Sequence, residues 1–143
     1  VEGADLKTYQ ILEHNFSMDA HHVYMQGTML EAANPAGFRV LSDNYSLDNQ
    51  HCYYFTTPLS NADPATFQLI DEFYSKDARQ VYSTGKAIAG ADPATFRVLN
   101  GPAGCTCDAH HAYSMDQVIK GVDPKTFPAS GGCKSCNENG VEF

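Results

Sequence analysis

Asp92-Pro93-Ala94-Thr95-Phe96-Arg97-Val98-Leu99 decides the fold, because its pattern recurs along the chain. In register with it stand Asn34-Pro35-Ala36-Gly37-Phe38-Arg39-Val40-Leu41 and Asp63-Pro64-Ala65-Thr66-Phe67-Gln68-Leu69-Ile70. A looser first copy reads Asp5-Leu6-Lys7-Thr8-Tyr9-Gln10-Ile11-Leu12, and a last one, Asp123-Pro124-Lys125-Thr126-Phe127, breaks down into Pro128-Ala129-Ser130. The opening positions Asp5, Asn34, Asp63 and Asp92 lie 29 residues apart, and Asp123 follows after 31. Between these blocks runs a second one: Phe16-Ser17-Met18-Asp19, Tyr45-Ser46-Leu47-Asp48, Tyr74-Ser75-Lys76-Asp77 and Cys105-Thr106-Cys107-Asp108. Five residues after each Asp stands Tyr24, Tyr53, Tyr82 or Tyr113. The two extra residues of the last period fall around Gly101-Pro102-Ala103-Gly104. Self-similarity at a fixed period of this size marks a repeat architecture.

Each recurring residue has a physical job. Asp-Pro before Ala-Thr-Phe starts a helical turn: Asp caps it, and Pro at the first position has its φ preset and lacks only an amide that would be orphaned. The following Phe96-Arg97-Val98-Leu99 type of run is β-branched and aromatic, so the turn gives way to a strand. Tyr-Ser-x-Asp followed by mixed residues and Val-Tyr reads as strand, turn, strand, with the Asp bonding the turn backbone and Gly27 or Gly85 closing the second strand. One such hairpin cannot stand alone in water, so stacked neighbours are required. The expected fold is mainly β, a curved antiparallel array of roughly 29-residue hairpin units. The units are a partial repeat 1–12, repeats 13–41, 42–70, 71–99 and 100–128, and a cysteine-containing cap 129–143, in one repeat domain. Phe38, Phe67 and Phe96 should occupy equivalent buried sites.

Composition narrows the function. The 143 residues carry 9 Lys plus Arg against 17 Asp plus Glu, a net charge of −8. That sign argues against tracking nucleic-acid phosphates and against docking on anionic lipid. The longest apolar stretch, Cys52-Tyr53-Tyr54-Phe55, is far short of the roughly 20 residues of a membrane helix. The sequence opens on Val1 with no leader, so a processed mature chain or a fragment is expected.

The run Tyr74-Ser75-Lys76-Asp77, Val81-Tyr82 and Gly90-Ala91-Asp92-Pro93-Ala94-Thr95-Phe96-Arg97-Val98-Leu99 resembles the bacterial DKNYY repeat family, and the resemblance spans Asp5 to Phe127. It implies a tandem repeat of exported or envelope proteins, with no agreed activity or catalytic residue. The chain departs from the family pattern where His stands in several turns, where Cys105 replaces an aromatic, and where Phe127 runs into Pro128-Ala129-Ser130-Gly131-Gly132-Cys133.

Four groups of residues carry chemistry. Asp19, Asp48, Asp77 and Asp108 suit turn formation better than calcium, which needs six to eight oxygens where each repeat offers one acid. His21, His22, His51, His110 and His111 follow the repeat Asp, either as polar aromatics in place of Tyr or as a metal or haem edge. The Cys-x-x-Cys-His signature of covalent haem is absent, since Asn137 follows Cys136. Cys52 takes the place of Val23 and Val81 and reads as a small buried hydrophobe. Cys105, Cys107, Cys133 and Cys136 bracket the last repeat as one closed set, preferably two disulfides, alternatively a zinc site. Either would close an end that has no following repeat to cover it. Nucleophilic and phosphate-binding motifs are missing, so no enzyme is expected. The leading function is a non-enzymatic extracytoplasmic binding module, periplasmic, cell-surface or secreted, that holds a protein partner and needs no cofactor. A zinc- or haem-binding protein and a self-assembling structural subunit are the alternatives.

Overall fold

The computed structural model describes residues 1–129 and 131–143, and the chain divides into two compact units, Val1–Phe67 and Gln68–Phe143. The first unit holds two four-stranded antiparallel meanders. One is β1 (Gln10–Ile11), β2 (Phe16–Met18), β3 (Val23–Met25) and β4 (Thr28–Met29); the other is β5 (Arg39–Val40), β6 (Tyr45–Leu47), β7 (Cys52–Tyr54) and β8 (Thr57–Pro58). The second unit repeats the plan in β9 (Gln68–Leu69), β10 (Tyr74–Lys76), β11 (Val81–Ser83) and β12 (Lys86–Ala87). It continues with β13 (Arg97–Asn100), β14 (Cys105–Cys107), β15 (Ala112–Ser114) and β16 (Gln117–Ile119), and ends in the hairpin β17 (Ser135–Asn137) and β18 (Gly140–Glu142).

The expected hairpin is the centre of each sheet, flanked by two short outer strands. The residue after Tyr-Ser-x-Asp turns the chain, and Gly27 and Gly85 turn it again into a fourth strand. The register is the same everywhere: Ser17 faces Tyr24, Ser46 faces Tyr53, Ser75 faces Tyr82 and Thr106 faces Tyr113. The Asp-Pro segments are single hydrogen-bonded turns, as at Thr66 N to Asp63 O (3.2 Å), and the last is a 3-10 helix, Pro124–Thr126, capped by Asp123. The two extra residues of the last period are absorbed by a bulge between Val98 and Asn100 and by the turn Gly101–Gly104. Gly104 is required there. Its φ is 71°, and a Cβ would sit 2.6 Å from Met115 Sδ.

Packing follows the same periodicity. In the first unit Phe16 of β2 lies 5.8 Å, ring to ring, from Phe38, which in turn lies 6.5 Å from Tyr53. In the second unit Tyr74 meets Phe96 at 5.9 Å and Phe96 meets Tyr113 at 6.2 Å. Val23, Met25 and Leu30 complete the first of these cores, and Val81, Ile88 and Ala91 the second. Phe96 is buried, whereas Phe38 and Phe67 are half-buried and packed on Phe16 and Tyr45. Within their units Phe38 and Phe96 each lie between two sheets, and truncating a buried aromatic of this kind costs about 3–5 kcal/mol.

Candidate functional site

The Asp of each repeat is the polar node of its sheet. Asp48 Oδ1 accepts the amides of Gln50 and His51, both at 2.7 Å, and Oδ2 accepts the Asn34 amide and the Tyr53 hydroxyl, both at 2.9 Å. Asp19 repeats this with His21, His22, Asp5 and Tyr24, and Asp108 with His110, His111, Asp92 and Tyr113. Asp77 accepts from Arg79, Gln80 and Tyr82. Four donors occupy both oxygens of a carboxylate, which leaves no free lone pair aimed at a calcium ion. The Asp therefore builds the turn and ties it to the preceding Asp-Pro segment.

The electrostatics agree with that role. Burial pushes the carboxyls of Asp48 and Asp108 up, but their hydrogen bonds outweigh it and hold both below the usual carboxylate range. Asp19 is lowered for the same opposed reasons. Burial, and then the bond to the carboxylate, raise Tyr24, Tyr53 and Tyr113 above the ordinary phenol value.

The histidines contribute backbone more than imidazole. His22, His51 and His111 give their amides to the node, while their rings lie 6.1–6.2 Å from Tyr24, Tyr53 and Tyr113. His21 and His110 are exposed beside them, with ring centres 6.3 Å from His22 and His111. Among the described residues no three His, Cys, Asp or Glu side chains come together in a way that could hold a metal.

The tail cysteines divide. Cys105 and Cys136 form a disulfide, and Cys107 and Cys133 are buried thiols in the same apolar cluster as Leu99, Ala112 and Ile119. The expectation of four cysteines in one closed set thus meets a single bridge. Burial raises both remaining thiols, at Cys107 against the opposing influence of Arg97. Cys105 stands where Phe16, Tyr45 and Tyr74 stand in the other four-stranded sheets, and its bridge ties β14 to the tail hairpin strand β17. Phe127, in the position of Phe38 and Phe96, packs instead on Phe143 at 4.9 Å. Cys52 is fully buried, as its Val-like position implied.

In the first unit the outer strands β1 and β5 leave a groove of ≈660 Å³, lined by Ile11, Leu12, Glu13, Phe38, Arg39 and Val40. Ile11 is 83% exposed on its wall, the most exposed large apolar side chain described. The pattern treats Ile11, Val40 and Val98 as equivalent, so nothing in the sequence singles out the one left uncovered. No described helix is long and apolar enough to cross a membrane.

Comparison with known proteins adds the family. The model of the DKNYY family matches residues 1–115, and the chain belongs to that family. No curated protein and no solved structure matches it.

Proposed function

We propose that this DKNYY-family chain is a non-enzymatic binding module that acts outside the cytoplasm and holds a protein partner. The observation that carries this reading is the contrast between the spent and the open parts of the surface. The Asp, Tyr and turn amides of each repeat satisfy one another, whereas the groove beside Ile11 presents apolar side chains and an outer strand to solvent, among the described residues. Exposed strand edges are ready templates for another chain. The Cys105–Cys136 bridge supports an oxidising compartment. Repeat arrays hold partners on extended surfaces rather than in catalytic clefts.

The test is native mass and metal content of protein taken from its source. A complex heavier than the chain, free of stoichiometric metal, is the expected result. A monomer carrying stoichiometric zinc or haem would replace this reading with a metal-binding one, and a homopolymer would replace it with a structural subunit.

A further inference from the structure

We infer that Asn15 is an acceptor for an N-linked glycan, transferred from an oligosaccharide carried on a lipid pyrophosphate. The inference rests on the extracytoplasmic part of the binding-module reading and not on its protein partner. Asn15-Phe16-Ser17 has the Asn-x-Ser form that such a transfer requires, and Glu13 places an acidic side chain two residues before the Asn. One class of transferase reads Asn-x-Ser or Asn-x-Thr alone, and a second class reads that acid as well. Asn44-Tyr45-Ser46 is the same triplet one repeat later, but Ser42 stands where the acid would be. Phe73 and Gly104 hold the Asn position in the next two copies.

Asn15 lies at the tip of the β1–β2 hairpin. The Phe16 amide donates to the Glu13 carbonyl at 3.1 Å, and the two residues between, His14 and Asn15, are left-handed with φ of 54° and 65°. Asn tolerates this backbone, which accounts for residue 15, and the recurring hydroxyl of Ser46, Ser75 and Thr106 accounts for Ser17. Neither accounts for Glu13. Its counterparts are spent on their turns: Ser42 Oγ accepts the amides of Asn44 and Tyr45, Asp71 Oδ1 those of Phe73 and Tyr74, and Asn100 Oδ1 that of Ala103. Glu13 closes its turn through its backbone carbonyl instead. Its carboxylate and the Asn15 side-chain amide are both exposed, and neither makes a hydrogen bond among the described residues. His14 turns aside to Asp43, 2.6 Å away. The turn thus presents an acid and an amide together, and the fold uses neither side chain.

The chemistry is an exchange at one carbon. Asn15 Nδ2 bonds to the anomeric carbon of the donor as the bond from that carbon to the pyrophosphate oxygen breaks. The lipid pyrophosphate leaves with the electron pair, and one amide proton passes to a base of the transferase. Timing follows from burial. Ser17, whose hydroxyl the transferase must bind, is buried opposite Tyr24 and accepts the Tyr9 hydroxyl at 2.8 Å in the folded chain. Transfer therefore precedes the pairing of β2, and the finished hairpin carries the glycan on its solvent side.

The test is peptide mass spectrometry on protein isolated from its source. Trypsin places Asn15 in the peptide Thr8–Arg39 and Asn44 in Val40–Lys76, so the two triplets are read separately. Thr8–Arg39 is expected to be heavier by a sum of sugar residues, and Asn15→Gln to lose that increment completely. The readout is covalent, so it does not depend on the stability of the variant. Glu13→Gln separates the two transferase classes: the acid-reading class loses Asn15 and leaves Asn44 bare, whereas the other keeps Asn15 and modifies Asn44 as well. An unmodified Thr8–Arg39 peptide, or sugar at other residues only, would overturn the inference. The same digest without reduction reports the Cys105–Cys136 bridge. Bare Asn15 with the bridge intact removes this inference and leaves the extracytoplasmic reading standing; bare Asn15 with free thiols removes both.

Discussion

The Tyr113 hydroxyl donates to Asp108 Oδ2 at 2.6 Å in the fourth sheet, and the pair Tyr53 and Asp48 repeats the bond at 2.9 Å in the second. Both partners are buried, so each bond closes a polar account that water cannot reach. It also joins three elements: the strand that carries the Tyr, the turn after the Asp, and the Asp-Pro segment of the preceding block.

Removing the hydroxyl leaves a carboxylate oxygen that still accepts a backbone amide. Tyr53→Phe is therefore expected to destabilise by about 1.5–3 kcal/mol, the scale of a hydrogen bond to a charged group. Asp48→Ala strands two turn amides, the Asn34 amide and the phenol together, and is expected to cost about 3 kcal/mol or more. Urea unfolding of both variants measures the order. Equal losses would mean that the turn amides find water and that the phenol dominates.

The same bonds set the response to acid. The folded-state pKa of Asp19, Asp48 and Asp108 lies below the unfolded value, so their contribution is complete above the unfolded value and fades as pH falls through the folded one. Stability is expected to hold down to about pH 5 and to decline below about pH 4, near the unfolded Asp pKa. The tyrosines act at the other end. Tyr24, Tyr53 and Tyr113 are raised on folding, so the stability they carry is present below about pH 10 and lost as pH rises beyond it. Chemical unfolding at stepped pH, with absorbance at the phenolate band, follows both limbs. Asp48→Asn should flatten the acid limb and leave the alkaline one sloping.

A smaller difference between copies predicts a gain. Tyr9 donates its hydroxyl to Ser17 Oγ at 2.8 Å, but Phe38 and Phe96 stand in its place in later copies. The facing hydroxyls of Ser46 and Thr106 are buried and find no partner among the described residues. Phe38→Tyr restores the pair with Ser46 and is expected to stabilise by about 0.5–1.5 kcal/mol. Thermal unfolding of Phe38→Tyr, alone and with Ser46→Ala, separates the hydrogen bond from the added bulk: the gain should vanish in the double variant.

How far the sequence could be read follows from what repeats. The period placed Phe38, Phe67 and Phe96 in equivalent positions because each copy must bury the same face, and of the three Phe96 is buried while Phe38 and Phe67 are half-buried. The constant five-residue spacing from Asp to Tyr was visible too, but the bond it makes requires knowing that the two strands fold across the turn and bring Ser46 opposite Tyr53. The groove was out of reach, because equivalent residues differ only in what lies beside them. The identity of the bridged cysteines was equally hidden: β14 places Cys105 and Cys107 on one face, and the path of the tail beyond Phe127 decides which of them Cys136 meets.

That path gives the last prediction. The Cys105–Cys136 bridge spans 31 residues, and closing a loop of that length contributes about 3–4 kcal/mol by restricting the unfolded chain. Cys105→Ser with Cys136→Ser should lose that amount in denaturant unfolding, with the loss concentrated in the second unit. Hydrogen exchange should show it first in β17, β18 and the outer strand β13, since Asn100 and Arg97 hold the tail there. Cys107 and Cys133 supply the internal control. Both are buried with raised pKa, so they should resist alkylation in the folded, bridged protein and react once the bridge is removed. Rapid labelling of either thiol with the bridge intact would show that the cap is closed by something other than the packing of Leu99, Ile119 and Phe127 around the disulfide.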